Sequence, residues 1–185
     1  MTVLLIGLAL FIGGHFWKRA LPGVHSSLGP AAKGISGVIT IIGLLVIIYG
    51  YKNAEVGFAY AVPIWGAHLN WVLMFFAVGL LGAGHSKGRI KTWFRHPMLM
   101  SVIVWAVAHL LANGDWASVI LFGTLGLWAI AEIFVINATS APWARPAPGP
   151  IARDFVLLGI TIGVYAAMVG IHIWVGVNPF ASITG

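Results

Sequence analysis

Six apolar segments alternate with short polar or Pro- and Gly-rich breaks along the chain. Each is close to the length that an α-helix needs to cross a hydrocarbon core of about 30 Å, at about 1.5 Å per residue. The pattern predicts an all-α integral membrane protein, a six-transmembrane-helix bundle that forms a single domain over residues 1–185. We expect the first and fourth segments, which are short, to extend into the membrane interface. The predicted spans are Thr2–Trp17, Gly34–Tyr51, Ile64–Gly84, Pro97–Ala112, Trp116–Ile136 and Phe155–Val177.

The composition agrees with a chain whose solvent is lipid. Hydrophobic residues make up 60 % of the 185 residues and charged residues only 8 %, whereas a soluble domain is usually about a quarter charged. In a signal peptide the positive charges precede the apolar run, whereas here they follow it. This order favours a retained first span over a signal peptide. The chain has no cysteine, which excludes disulfides, thiolate ligation, iron–sulfur clusters and cysteine nucleophiles. Histidine, present seven times, is therefore the strongest candidate ligand.

Basic residues are concentrated in alternate loops, and this sets the predicted orientation. Three alternate loops carry nine of the ten Lys and Arg residues, and only Lys52 lies on the other side. The positive-inside rule then places these loops in the cytoplasm and both termini on the non-cytoplasmic side. Because the basic residues are spread over three juxtamembrane loops, we predict no nucleic-acid partner. The nine residues are Lys18, Arg19, Lys33, Lys87, Arg89, Lys91, Arg95, Arg145 and Arg153.

Two connections have distinctive compositions. The Pro-rich stretch from Pro142 to Pro150 predicts an extended segment, because proline disfavours helix interiors. The sequence Asn113-Gly114-Asp115 predicts a tight turn with a positive φ. That turn would join spans four and five into a helical hairpin.

The predicted topology arranges the histidines in two layers. His68, His109 and His172 fall at about 5–8 Å from the outer surface, and Asn70, Asn113 and Asp115 lie near one or other of them in sequence. An ionisable residue inside a span is costly and suggests function. Two histidines on different helices at one depth are what a b-type haem needs as axial ligands. The inner layer comprises His15, His85, His96, Arg95 and Glu132.

Each of these residues also has a purely structural interpretation. A single histidine near a helix end is more often an interfacial residue with a satisfied hydrogen bond than a ligand, and His25 is predicted to lie in a loop. Trp105, four residues before His109, could flank a ring-shaped cofactor or simply fill the core. Glu132 could pair with Arg95 or Lys91, or handle protons. No His-x-x-x-His pair, Ser–His–acid set or Gly-rich phosphate loop is present.

The stretch "RHPMLMSVIVWAVAHLLANGDWASVILFG" resembles the signature of the NnrU family of bacterial membrane proteins. The segments "LIGLALFIGGH" and "VIIYGY" are also similar to that family's N-terminal half. The resemblance implies a multi-pass protein of the bacterial inner membrane associated with denitrification, in particular with nitrite and nitric oxide reduction. It leaves open whether the protein is an enzyme.

The NnrU family is in turn similar to zeta-carotene isomerase, a haem b enzyme of plants and cyanobacteria. The isomerase has an RHP-led helix that ends in an "AH" pair, and the resemblance maps this helix onto Arg95, His96, Pro97, Ala108 and His109. The isomerase's haem-linked histidine, at the end of an early span, resembles His15. The chain departs from the isomerase at a second-span histidine, which is replaced by Tyr49-Gly50-Tyr51, and at a cysteine, which is replaced by Ala106. His15 and His109 fall at opposite membrane faces in the predicted topology. We therefore favour His109 with His68 as the ligand pair, with His15 and His172 as further candidates.

Three functions follow as hypotheses. The first is a membrane haem b protein with a redox or gas-linked role in denitrification. The second is a haem-dependent cis–trans isomerase of a carotenoid-like polyene. The third is a cofactor-free scaffold whose small residues in spans two and three pack against other denitrification or respiratory membrane proteins. The RHP hairpin also resembles isoprenylcysteine methyltransferases, but their Glu-rich nucleotide-binding segment is missing, so methyl transfer ranks lower. The oligomeric state is left open.

Overall fold

A computed structural model describes residues 1–177, which are helical apart from their connections. A short 3-10 helix covers Ile90–Thr92, and the described residues contain no β-strand, only an isolated antiparallel bridge between Phe58 and Asp115. The all-α class is therefore confirmed. The helices are α1 (Thr2–Ala20), α2 (Pro22–Ser27), α3 (Ala31–Lys52), α4 (Gly66–Ala83), α5 (Pro97–Ala112), α6 (Trp116–Thr139) and α7 (Ala152–Trp174).

The helices fall into two compact units. The first unit comprises residues 1–60 and 115–124, so it contains α1, α2, α3 and the start of α6. The second unit comprises residues 61–114 and the described residues from 125 onward, so it contains α4, α5, the remainder of α6 and α7.

Five helices, α1, α3, α4, α6 and α7, are long and apolar enough to cross a membrane. Each corresponds to a predicted span, and α1 continues three residues beyond the predicted end, as expected for a short first segment. The fourth predicted span is α5, which has the predicted bounds Pro97–Ala112. Its 16 residues rise only about 24 Å, less than a hydrocarbon core of about 30 Å. The six-span count therefore stays a prediction.

The structure differs from the sequence-based prediction in two connections. His25, predicted in a loop, lies in the short helix α2, which begins with Pro22 at a position where the fixed φ of proline suits a helix start. The predicted Asn-Gly-Asp turn is wrong. Asn113 is extended, with φ −131° and ψ 116°, and the positive-φ glycines among residues 1–177 are Gly29 and Gly176, not Gly114. The chain stays extended there because Asp115 pairs with Phe58, while the Trp116 N–H donates to the Gly57 carbonyl at 2.9 Å. The Pro-rich stretch from Pro142 to Pro150 is not helical, as predicted.

Close backbone contact between α1 and α3 organises the first unit. A Cβ at Gly43 would lie 2.6 Å from the backbone nitrogen of Phe11, and a Cβ at Gly50 would lie 2.5 Å from that of Leu4. Such separations are far below normal van der Waals contact, so only glycine allows the two helices to approach this closely. Gly7 and Gly14 of α1 play the same part against α3, facing Ile47 and Thr40. Gly43 and Gly50 of span two therefore pack against the chain's own first helix.

In the second unit, α4 packs against both α5 and α7. Gly66, at the start of α4, directly faces the Leu111 carbonyl near the end of α5. The Ser101 hydroxyl donates to the Ala77 carbonyl at 2.7 Å, which joins the middles of α4 and α5. A Cβ at Gly82 would lie 2.6 Å from the Leu157 side chain of α7. The small residues of span three are thus also used within the chain.

The loop before α5 is held by a carboxylate of α7. The two Asp154 carboxylate oxygens accept hydrogen bonds from the backbone N–H groups of Arg89 and Ile90, at 3.0 and 3.2 Å. Gly88 lies directly against the same carboxylate. This loop leads to the Arg-His-Pro motif, so Asp154 helps to position the start of α5.

We predict that Gly43→Ala destabilises the protein and that Gly37→Ala does not. The added methyl at position 43 would overlap the Phe11 backbone, whereas a Cβ at Gly37 of the same helix meets nothing within 4 Å. Overpacking of this kind costs about 1–3 kcal/mol. Thermal unfolding of both variants in detergent, followed by circular dichroism, measures the difference. Equal melting temperatures for the two variants would contradict the close α1–α3 contact.

Candidate functional site

His109 is partly buried near the end of α5, and its ring orientation is fixed from within its own helix. Its Nδ1 lies 2.9 Å from the Trp105 carbonyl oxygen. A carbonyl oxygen can only accept, so Nδ1 carries the proton and, in the neutral imidazole, Nε2 carries the basic lone pair. The Trp105 and His109 ring centroids are 5.3 Å apart. Asn113 donates its side-chain amide to the His109 carbonyl at 2.8 Å, which closes the end of α5. This Asn113 side-chain bond is therefore made to the backbone of the last turn of α5.

His172 and His68 lie in the same unit as His109. His172 is partly buried on α7, and its Nδ1 donates to the Met168 carbonyl at 2.7 Å, so its proton is on the same nitrogen as in His109. His68 is exposed on α4, with its ring centroid 5.1 Å from that of Trp71. His172 therefore shares its partial burial and its ring tautomer with His109.

The Arg-His-Pro motif anchors the start of α5. The Arg95 guanidinium donates to the Ala141 carbonyl at 2.8 Å, and His96 Nε2 lies 2.9 Å from the Asn137 side-chain oxygen. His96 precedes α5 without capping it through its side chain, and Pro97 occupies the first helical turn. The contacts of Arg95 and His96 tie this end of α5 to the end of α6 and the segment after it.

Glu132 is a buried acid on α6, with only 6 % of its surface exposed. An acid at such a position is costly in an apolar environment, so its charge or proton must be stabilised locally. Its pairing with Arg95 or Lys91 stays a prediction.

His15 lies in the first unit, on α1, where its Nδ1 donates to the Phe11 carbonyl at 2.8 Å. It is exposed, unlike His109. It shares a cleft with His25 of α2, whose ring is 5.3 Å from that of Trp17. Of the four candidate haem ligands, the second unit therefore contains three and the first unit one. Over residues 1–177, no group of three His, Asp or Glu residues is arranged to hold a metal ion by itself.

Asp115, predicted near the outer histidine layer, belongs to the first unit and begins α6. Its Oδ1 accepts the Ser118 N–H at 2.8 Å, which is the bond of an N-capping residue. Its Oδ2 accepts the Ser118 hydroxyl at 2.6 Å, and the Tyr51 hydroxyl lies 2.9 Å from the Ser118 oxygen. Burial, as the larger cause, and the Asp115 charge, as the smaller one, raise the pKa of Tyr60 above its usual value.

The cluster of Tyr51, Ser118 and Asp115 was not predicted from the sequence. Ser118 is fully buried, and the three side chains are joined by hydrogen bonds between the end of α3 and the start of α6. Asp115 directly before an apolar run could have indicated the cap, because Asp is a preferred N-cap residue. The contact with Tyr51 spans 67 residues, and no local signal indicates it.

We predict that Asp115→Ala lowers stability by about 0.5–2 kcal/mol, because α6 loses its cap and the Ser118 hydroxyl loses its acceptor. Asp115→Asn should restore most of the loss, since a side-chain amide oxygen can still cap the helix. Denaturant unfolding in mixed micelles measures the change, with Glu55→Ala, an exposed acid in the same unit, as the control. A loss no larger than that of the control would contradict the capping role.

No curated protein and no solved structure matches the chain at a significant level. Residues 3–179 match the family described as NnrU protein. Because the match covers nearly the whole chain, including both units and the helix that carries His109, the chain belongs to the NnrU family.

Proposed function

We propose that the protein is a membrane haem b protein in which His109 is an axial ligand. One observation carries the proposal: the Nδ1–H bond to the Trp105 carbonyl fixes the imidazole tautomer. Histidine ligands of metals commonly donate one ring N–H to a backbone carbonyl or carboxylate, which orients the ring and raises the basicity of the other nitrogen. His109 has this arrangement on an apolar helix, where neighbouring side chains could cover a porphyrin.

His172 is our preferred second ligand in place of His68. It has the same Nδ1–carbonyl bond as His109, it lies in the same unit, and it is partly buried. His68 is exposed and remains the alternative partner. Trp105 would lie beside the bound group, because its ring is next to His109. His15 belongs to the other unit, and its ligand role is implied by the resemblance to the isomerase alone.

The bound haem would supply one-electron chemistry or the binding of a small gas. Two histidine ligands would favour electron transfer or sensing, and a single histidine would favour gas binding. The chain's own contribution is to fix the ligand tautomer and to surround the group with apolar side chains. We place this role in the inner membrane and link it to denitrification, as the family resemblance implies.

The two other hypotheses have less support. The isomerase has a functional histidine where this chain has Tyr49-Gly50-Tyr51, and the Tyr51 hydroxyl is used in the bond to Ser118. The scaffold hypothesis depended on small residues in spans two and three, but Gly43, Gly50 and Gly82 pack against helices of this chain.

We predict that His109→Ala removes the haem absorbance of the purified protein. Reduced-minus-oxidised spectra of the wild type should have a Soret band and sharp α and β bands, and both should be lost in the variant. His85→Ala, which changes an exposed loop histidine, is the matched control. His172→Ala should shift or weaken the bands. Full haem retention in His109→Ala would remove the central residue of the proposal.

We also propose six spans with both termini on the non-cytoplasmic side. Because the chain has no cysteine, single-cysteine variants can test this directly. In spheroplasts, an impermeant maleimide should label Asn53→Cys, while Ser26→Cys should react only after the membrane is permeabilised. The reverse pattern would invert the topology.

A further inference from the structure

The first unit contains an open, positively charged cleft of about 480 Å³ at the junction of α1, α2 and α3. Most of its polar lining comes from basic and hydroxyl side chains. The lining includes Lys18, Lys33, His15, His25, Ser36 and Thr40.

The packing of the helices explains why this space is open. Gly14 brings α1 onto α3 at Thr40, since a Cβ there would lie 2.7 Å from the Thr40 hydroxyl oxygen. Gly37, one turn before Thr40, adds no side chain, and a Cβ there would meet nothing within 4 Å. The helix α2 contributes His25, whose ring packs edge-on against Trp17. Trp17 in turn donates its indole N–H to the Ser36 hydroxyl. Contacts among α1, α2 and α3 therefore hold the walls of the cleft in place.

The charge of the cleft is not balanced by acids in the helices that form it. The first acidic residue of the chain is Glu55, so α1, α2 and α3 contain none. Lys18, near the end of α1, and Lys33, near the start of α3, are both exposed. A basic pocket between membrane helices on the cytoplasmic side is suited to the phosphate of an anionic lipid headgroup. The predicted topology places this cleft on that side.

An apolar strip runs from the cleft along α3. Ile41 lines the cleft and is 59 % exposed, and Leu45, one turn further along, is 60 % exposed. Ile48 continues the strip and is 49 % exposed. Residues spaced by three or four positions lie on one face of a helix. A charged cleft that continues into an exposed apolar strip matches an amphiphile better than a free anion.

We propose that the cleft binds an anionic phospholipid, with the lipid phosphate at Lys18 and Lys33 and one acyl chain along Ile41 and Leu45. Thr40 supplies a hydroxyl beside the phosphate, and the two imidazoles line the same space. This site lies in the first unit and does not depend on haem binding at His109.

The first experiment measures lipid retention by native mass spectrometry of the full chain released from detergent. The wild type should keep phosphatidylglycerol in preference to phosphatidylcholine. The double variant Lys18→Gln/Lys33→Gln should bind phosphatidylglycerol at least about tenfold more weakly, because a lysine near an anionic lipid surface contributes about fivefold in affinity. Lys52→Gln, at the other end of α3, is the control and should bind like the wild type.

The second experiment fills the cleft without changing charge. Gly37→Leu places a side chain in the cleft and should weaken phosphatidylglycerol binding. Gly34→Leu is the matched control, because Gly34 lies on the same helix, also has nothing within 4 Å of a Cβ, and does not line the cleft. Circular dichroism confirms that both variants are folded.

Three results would overturn the proposal. Equal retention of phosphatidylglycerol and phosphatidylcholine would show that the cleft does not select a charged headgroup. Inorganic phosphate that displaces phosphatidylglycerol at comparable concentration would identify a free-phosphate site instead. Loss of haem absorbance in the lysine double variant would assign the cleft to a haem and its propionates.

Discussion

An imidazole inside an apolar helix has few possible partners, and the nearest acceptor is the backbone carbonyl one turn earlier. Water is absent from the hydrocarbon core, so polar groups there must be satisfied within the protein. His109 and His172 both use this bond, to Trp105 and Met168. The bond has a chemical consequence, because it places the ring proton on Nδ1 and leaves the basic lone pair on Nε2. The same constraint that allows a histidine to enter a membrane helix therefore also prepares it to act as a ligand.

Local patterns predicted the elements of this fold well, because an apolar run bounded by basic or Pro- and Gly-rich residues has few alternatives to a helix. The bounds of α5 agree with the prediction at both ends, since Pro97 and Asn113 mark them. The connections were harder to predict. Gly114 carries a strong turn signal, yet the segment is extended, because Asp115 pairs with Phe58 across a distance in sequence that no local pattern reveals. The glycines of α3 could be recognised as a packing face, but the sequence did not say whether the partner helix belongs to this chain.

The two units contain different kinds of candidate functional residues. The second unit contains the buried acid Glu132 and the partly buried His109 and His172. The first unit contains an exposed basic cleft with an apolar strip, which suits a lipid. The resemblance to the isomerase implied a haem ligand at His15, and that role stays a prediction. In the structure His15 is exposed and lines a cleft with Lys18 and Lys33.

The central claim is that this chain holds haem b, and the most direct measurement is the haem content of the purified wild-type protein. The pyridine haemochromogen assay, set against protein concentration from amino-acid analysis, gives the number of haems per chain. After production with an adequate haem supply, the account predicts about one haem b per chain. A content no higher than that of an unrelated membrane protein without haem, prepared in the same way, would contradict it.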